Sequence, residues 1–150
     1  MSESNSTPTT TAAVSPMQVV TKPKRAPVPT INQMSEVECS AASLGMVLAH
    51  HGKWVALSDL RTTLGISRDG ATALDIVKGA EKYGLKAAGA VGGFDKLQGV
   101  EVPAIIWIRR SHFVVLEGAH DGRFYINDPG SGRYQFTAEQ MEEQFSNAVL

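Results

Sequence analysis

Two different periods of apolar residues divide this chain. From Cys39 to His51, apolar or small residues fall on most turns of a helical repeat, and Gly52 supplies a C-terminal stop. Ser58 is placed to cap a second helix ending near Leu64-Gly65. Thr72, with Asp75 three residues on, is placed to cap a third that ends at Tyr83-Gly84. Beyond this point the pattern becomes that of strands. Residues 85–91 are the first candidate, and residues 102–108 are apolar throughout, which predicts a strand covered on both faces. Residues 113–116 and 123–126 flank His120-Asp121-Gly122, a turn signal. Residues 133–136 form a further short strand, and Thr137 caps a last helix with Gln140 set for a capping box. Helices first and an antiparallel sheet second is an α+β pattern.

Composition trims the picture. Residues 1–26 are rich in Ser, Thr and Pro and poor in large apolar side chains, which predicts a disordered or loosely attached segment. Lys22 to Arg25 then reads as a solvated linker, and residues 27–150 as one domain. A chain of 150 residues, 43% apolar, buries one ordinary core. The formal net charge of −1 gives no field that would draw nucleic acid or an anionic membrane. No apolar run reaches the length of a membrane span, and no basic stretch followed by an apolar core marks a secretory signal. No glycine-rich loop ending in Gly-Lys-Ser/Thr is present for ATP, so no cofactor is expected. His50-His51 sits on adjacent helical positions that point apart, without a companion cluster, so no metal site is expected either. Trp54, Met46 and Tyr83 read as core.

The single cysteine, Cys39, changes the picture most. It cannot form an internal disulfide, so a free thiol needs explaining. Its surroundings, Gln33-Met34-Ser35-Glu36-Val37-Glu38-Cys39-Ser40-Ala41-Ala42-Ser43-Leu44, are a polar loop running into a small-residue helix. A thiol in the first helical turn lies beside unpaired N–H groups and the positive end of the helix dipole, which favour the nucleophilic thiolate. Ser111-His112-Phe113 and Asn127-Asp128-Pro129 follow, so Cys, His and Asp occur in the order that a cysteine-nucleophile hydrolase uses. If the hairpin loop spans Gly118 to Gly122, Glu117 pairs with Arg123 and His112 falls opposite Asp128. A loop of two or four residues would put them on opposite faces, because side chains alternate with period two. Taken alone, Cys39 reads as an inert core thiol, Asp128 as a turn residue before Pro129, and Gln33 as a loop amide.

Residues 37–48, with Gln33 six positions before the cysteine, resemble the nucleophile segment of the bacteriocin-processing cysteine peptidases. These are papain-like domains at the N-terminus of peptidase-containing ABC transporters. The similarity continues through Leu60-Arg61, Gly65-Ile66-Ser67-Arg68-Asp69-Gly70, Pro103-Ala104-Ile105, His112-Phe113-Val114-Val115-Leu116 and Asn127-Asp128-Pro129. It is closest to the branch exporting peptides with nitrile-hydratase-like or similar long leaders, lanthipeptide precursors among them.

The resemblance implies a papain-like fold with Cys39 as nucleophile, His112 as general base, Asp128 orienting the imidazole and Gln33 serving the oxyanion hole. It implies cleavage after Gly-Gly, Gly-Ala or Gly-Ser at the end of a leader peptide, coupled to export. The implied partners are a precursor with an amphipathic helical leader and the membrane-spanning and ATP-binding parts of a parent transporter. The implied location is the cytoplasmic face of a bacterial inner membrane. With a strand starting at Asn147-Ala148-Val149-Leu150, the chain reads as a peptidase domain cut from a longer protein and soluble as a fragment. Leu57, Leu60 and Leu64 on the second helix and Tyr83 at the end of the third are candidates for the leader groove. Gly92-Gly93 resembles the cleavage motif itself but falls in a connecting turn. Two other functions share these residues: an inactive leader-binding domain, and a Cys-His-Asp acyltransferase of the arylamine-acetylating or transglutaminase-like kind.

Overall fold

The computed structural model describes residues 26–150 apart from Asp69 and Gln98; of residues 1–26, expected to be disordered or loosely attached, 1–25 lie outside it, and Ala26 donates its N–H to the Glu117 carbonyl. A 3-10 turn at Glu36–Glu38 runs directly into α1 (Cys39–His50). Every residue of α1 from Cys39 to Ala49 is buried, which is what a helix apolar on all sides requires. Small residues let its neighbours close in. A Cβ on Gly45 would meet Leu60 at 3.0 Å and Ile31 at 3.3 Å. The second helix, α2 (Leu57–Leu64), begins after Ala56 without a side-chain cap, so Ser58 lies inside its first turn rather than capping it. It ends at Gly65 in the left-handed conformation that glycine adopts at no steric cost. The expected capping box opens α3 (Ala73–Lys82): the Asp75 N–H donates to Thr72 Oγ1 and the Thr72 N–H to Asp75 Oδ2.

The sheet follows. Residues 85–91 yield only β1 (Ala90–Val91), and Gly92-Gly93 lies in the connection after it. Next come β2 (Ala104–Ile108), β3 (His112–His120), β4 (Arg123–Asp128) and β5 (Gly132–Thr137). The last elements are α4 (Ala138–Gln144), opened by the Thr137–Gln140 capping box, and β6 (Phe145–Val149). All pairings are antiparallel, in the order β1-β6-β2-β3-β4-β5. Period-two alternation divides the core. Ile105, Phe113 and Val115 pack with α1, α2 and α3, while Ile106, Val114, Leu116 and Ile126 pack with Met141 of α4. Met46 is fully buried and Tyr83 partly so, but Trp54 is 70% exposed. It stands in the connection between α1 and α2, outside both helices.

The β3–β4 hairpin departs from expectation. His120 pairs with Arg123, so the loop is only Asp121-Gly122. A loop of that length should set His112 and Asp128 on opposite faces. A bulge corrects this: Leu116 pairs with Ile126 and Gly118 with Tyr125, leaving Glu117 as an extra residue in β3. From there Val115 pairs with Asn127, and the same register carries Asp128 to Val114. His112 is thus the diagonal neighbour of Asp128 on one face, not its direct partner.

Candidate active site

Cys39 is the first residue of α1 and is buried. The Phe113 N–H of β3 donates to its Sγ at 3.4 Å, and Ser43 Oγ, one turn along α1, donates to the Phe113 carbonyl. The helix start is therefore fixed against the residue that follows His112. Cys39 belongs to the helix-side core with Phe113, whereas His112 and Asp128 have the parity of Val114 and Ile126 on the other side. The groups meet because His112 opens β3, at the end of the sheet.

His112 Nε2 lies 2.7 Å from Asp128 Oδ1. With Nε2 committed to Asp128, the other edge of the ring is the one left for the Cys39 side chain. The bond to Asp128 and then the interaction with Cys39 raise the imidazole from 6.5 to about 9, against burial, which acts the other way. Asp128 is 1% exposed. Besides His112, it accepts from the Gly130 N–H at Oδ1 and from Tyr134 Oη at Oδ2, each at 2.7 Å. Burial alone would raise this carboxyl. The hydrogen bonds from His112, Tyr134 and Gly130 outweigh burial and hold it below its ordinary value. Burial first, then the carboxylate, push the Tyr134 phenol well above its usual range, so its hydroxyl remains a donor.

Gln33 arrives on the segment ahead of α1. Its N–H donates to the Pro129 carbonyl, directly after Asp128. Its Nε2 donates to Ser35 O at 2.9 Å, while Oε1 is buried with no hydrogen-bond partner. Gly130 fits between the two site residues: a Cβ there would come within 3.3 Å of Asp128 Oδ1 and 3.6 Å of Gln33 Oε1.

Glu38 and Tyr134 were absent from the expected site. Glu38, 5% exposed, accepts the Met34 N–H at Oε1 and pairs through Oε2 with Arg61 of α2. It closes the loop between Gln33 and Cys39. An acidic residue ahead of a wholly apolar helix was the available signal, since a buried carboxylate needs a cation. For Tyr134 no local signal exists, because its reach to Asp128 depends on the β4–β5 register, in which Tyr134 pairs with Ile126.

The groove candidates fare differently from the polar residues. Leu60 and Leu64, at 0% and 4% exposure, face inward and have no surface to offer a ligand. Leu57 and Tyr83 are partly buried against the same core, and the Tyr83 hydroxyl is engaged with Thr63. An apolar groove of about 520 Å³ opens instead between α1, α3 and the segments at residues 85–88 and 100–103; Val77, Leu85, Ala87, Val102 and Pro103, all partly exposed, line it. His50 commits Nδ1 to Pro27 O, and among the described residues no three His, Cys, Asp or Glu side chains converge as metal ligands. Among the same residues no helix is long and apolar enough to cross a membrane.

A model of the Peptidase C39 family matches residues 27–150. The probable microcin-H47 secretion/processing ATP-binding protein MchF of Escherichia coli is 33% identical over 123 residues, 82% of this chain and 18% of its own length. The colicin V secretion/processing ATP-binding protein CvaB of Escherichia coli matches to the same extent. The chain therefore spans under a fifth of these curated relatives. A crystal structure of a double glycine motif protease from an AMS/PCAT transporter, in complex with the leader peptide, superposes with a TM-score of 0.82. Its sequence is 43% identical, over 85% of this chain and 92% of that one.

Proposed function

The chain belongs to the Peptidase C39 family, and on that premise we propose that it is a cysteine endopeptidase that removes the leader from ribosomally made precursor peptides of the bacteriocin or lanthipeptide type, cutting after a double-glycine-type motif. The observation that carries the reading is the 2.7 Å His112–Asp128 pair beside a thiol at the start of a buried helix, with Sγ held by the N–H of Phe113, the residue after His112. The likeness to the double glycine motif protease supports it.

In this reading Cys39 supplies the nucleophile, as the thiolate of a pair whose proton rests on His112. Sγ attacks the carbonyl of the last leader residue and the π electrons move to oxygen. That oxyanion takes the second Nε2 hydrogen of Gln33 and the N–H at the start of α1, both fixed before the reaction. Collapse breaks the C–N bond, and His112 gives its proton to the departing amine, leaving a thioester on Cys39. Water, deprotonated by the now neutral His112, adds to the thioester carbonyl; the C–S bond breaks, releasing the leader acid and restoring the Cys39 thiolate beside protonated His112. Asp128 holds the imidazole in the tautomer and orientation that both transfers need.

Selection for glycine at the cut is steric exclusion: a passage too narrow for a Cβ rejects larger residues without needing strong contacts. Affinity then comes from the leader. The groove between α1 and α3 takes the place of α2 as the docking face for an amphipathic leader helix. Four buried apolar anchors at roughly 1.5–3 kcal/mol each total about 6–12 kcal/mol, which brackets the 8 kcal/mol or so of micromolar binding, before ordering costs. By analogy with its longer ATP-binding relatives, the domain acts beside membrane-spanning and ATP-binding parts at the cytoplasmic face of a bacterial inner membrane.

The test is a precursor bearing a leader that ends in Gly-Gly, Gly-Ala or Gly-Ser, incubated with the protein and weighed by mass spectrometry. Cleavage after the second residue of the motif is expected. Unchanged peptide would mark a leader-binding domain, and mass added to a small acceptor a transferase.

A further inference from the structure

The segment Ala26 to Gln33 crosses the helix-bearing face of the sheet as a strap. Its sequence suits that path. Ala26 and Val28 turn their N–H groups to the sheet, and the intervening Pro27 and Pro29, which have none, fall where no donor is needed. The Ala26 N–H donates to the Glu117 carbonyl and the Val28 N–H to Glu117 Oε2 at 2.8 Å. Arg133 donates to both Glu117 carboxylate oxygens and to the Val28 carbonyl. Asn127, paired with Arg133 across the ladder, donates to Val28 O and Thr30 Oγ1. The strap ends at Gln33, whose N–H is held by Pro129 O.

Glu117 is the bulge residue, and it is 0% exposed. A buried carboxylate is retained only where it is paired, and its partners here include one arginine and the strap backbone. The same inserted residue that brings His112 and Asp128 to one face thus also fixes the strap leading to Gln33.

We infer that Glu117 and Arg133 act as a clamp that positions the Gln33 carboxamide against the Cys39–His112–Asp128 site. This rests on the peptidase reading for its catalytic consequence, but not for its structural one. Neither residue touches the reacting atoms; both are positioning residues acting through Gln33. Small misplacements of such a group can cost up to about a hundredfold in turnover.

The experiment combines Glu117→Gln and Arg133→Gln, each alone and with Gln33→Ala, with kcat and KM measured on a leader-bearing precursor. Arg133 has 47% of its side chain exposed, so its variant remains informative if the buried Glu117→Gln fails to fold. Each clamp variant alone is expected to lower kcat about tenfold with KM within about twofold. In the Gln33→Ala background the same substitution is expected to cost less than about twofold, because the group it positions is gone. An equal kcat loss with and without Gln33 would overturn the clamp while leaving the peptidase reading intact. Amide hydrogen exchange separates the two readings. Faster exchange at the Gln33 N–H in the Arg133→Gln variant is expected whether or not the precursor is cut, and unchanged exchange there would overturn the clamp. Failure of the unaltered protein to cut any such precursor would instead count against the peptidase reading.

Discussion

Replacing Asp128 by asparagine isolates the electrostatic part of the site. The substitution keeps the shape of the side chain and removes its charge. The new amide oxygen can still accept from His112 and Gly130, as Asp128 Oδ1 does. The new amide nitrogen then faces Tyr134, whose hydroxyl can rotate to accept rather than donate. The fold is thus expected to survive. What changes is the imidazole. The bond to Asp128 is the largest cause of its rise from 6.5 to about 9, so in the variant it should fall most of the way back. At pH 7.5 an imidazole titrating near 9 is almost wholly protonated, whereas one titrating near 6.5 is protonated about one tenth of the time. The population carrying the proton needed by the departing amine therefore drops about tenfold. The assay is kcat/KM against pH on a leader-bearing peptide, since that ratio reports the ionisations of the free enzyme. The basic limb should lie near pH 9 in the unaltered protein and move down toward pH 7 in Asp128→Asn, with at least about a tenfold loss at pH 7.5. A limb that stays near pH 9 in the variant would show that Asp128 does not hold the proton on His112.

The other predictions are simpler. Cys39→Ala should abolish cleavage while leader affinity, read by calorimetry, stays within about twofold, because alanine fits a helix start lined by Ala41 and Ala42. Stability should fall as pH rises from 6.5 through about 9: His112 is raised on folding, so its contribution, roughly 3 kcal/mol at most, is complete below 6.5 and lost above 9. A melting temperature flat across that range would contradict the pairing. Tyr134→Phe removes one of the donors to a buried carboxylate and should cost about 1.5–3 kcal/mol in urea unfolding, with kcat reduced more than KM is raised. Replacing the substrate glycine before the cut by Ala or Val should lower turnover steeply without weakening leader binding; equal turnover would remove the steric account of specificity.

Local chemistry made the helices legible. Both capping boxes, at Thr72–Asp75 and Thr137–Gln140, form as the spacing predicts, because a box needs only two residues within one helical turn of each other. The apolar run at residues 102–108 is a strand only over Ala104–Ile108, buried on both faces, and its signal too lies within itself. Ser58 misled because its hydroxyl was read as a cap while the helix had already turned at Leu57. Leu60 and Leu64 were read as a groove from their helical spacing. Spacing identifies an apolar stripe but not whether the stripe is covered, and here α1 covers Leu60 and α3 covers Leu64.

The bulge at Glu117 is the part of the site that sequence could not supply, and its cause explains why. Asp121-Gly122 is a strong two-residue turn, and taken alone it separates His112 from Asp128 by parity. Gly118, next to it, is the one local signal, since a glycine inside a strand often marks a bulge, but it reads equally as the start of the hairpin loop. What holds Glu117 in the ladder is distant: Val28, far upstream, and Arg133 on β5. A glutamate turned inward from β3 would be intolerable without them. The bulge that joins imidazole to carboxylate and the strap that carries Gln33 thus share one residue, Glu117. A change that frees the strap while Glu117 stays in the ladder, as Arg133→Gln is expected to do, should therefore disturb Gln33 and leave the His112–Asp128 contact in place, because the strap is tied to Glu117, Asn127, Arg133 and Pro129 rather than to the imidazole or the carboxylate.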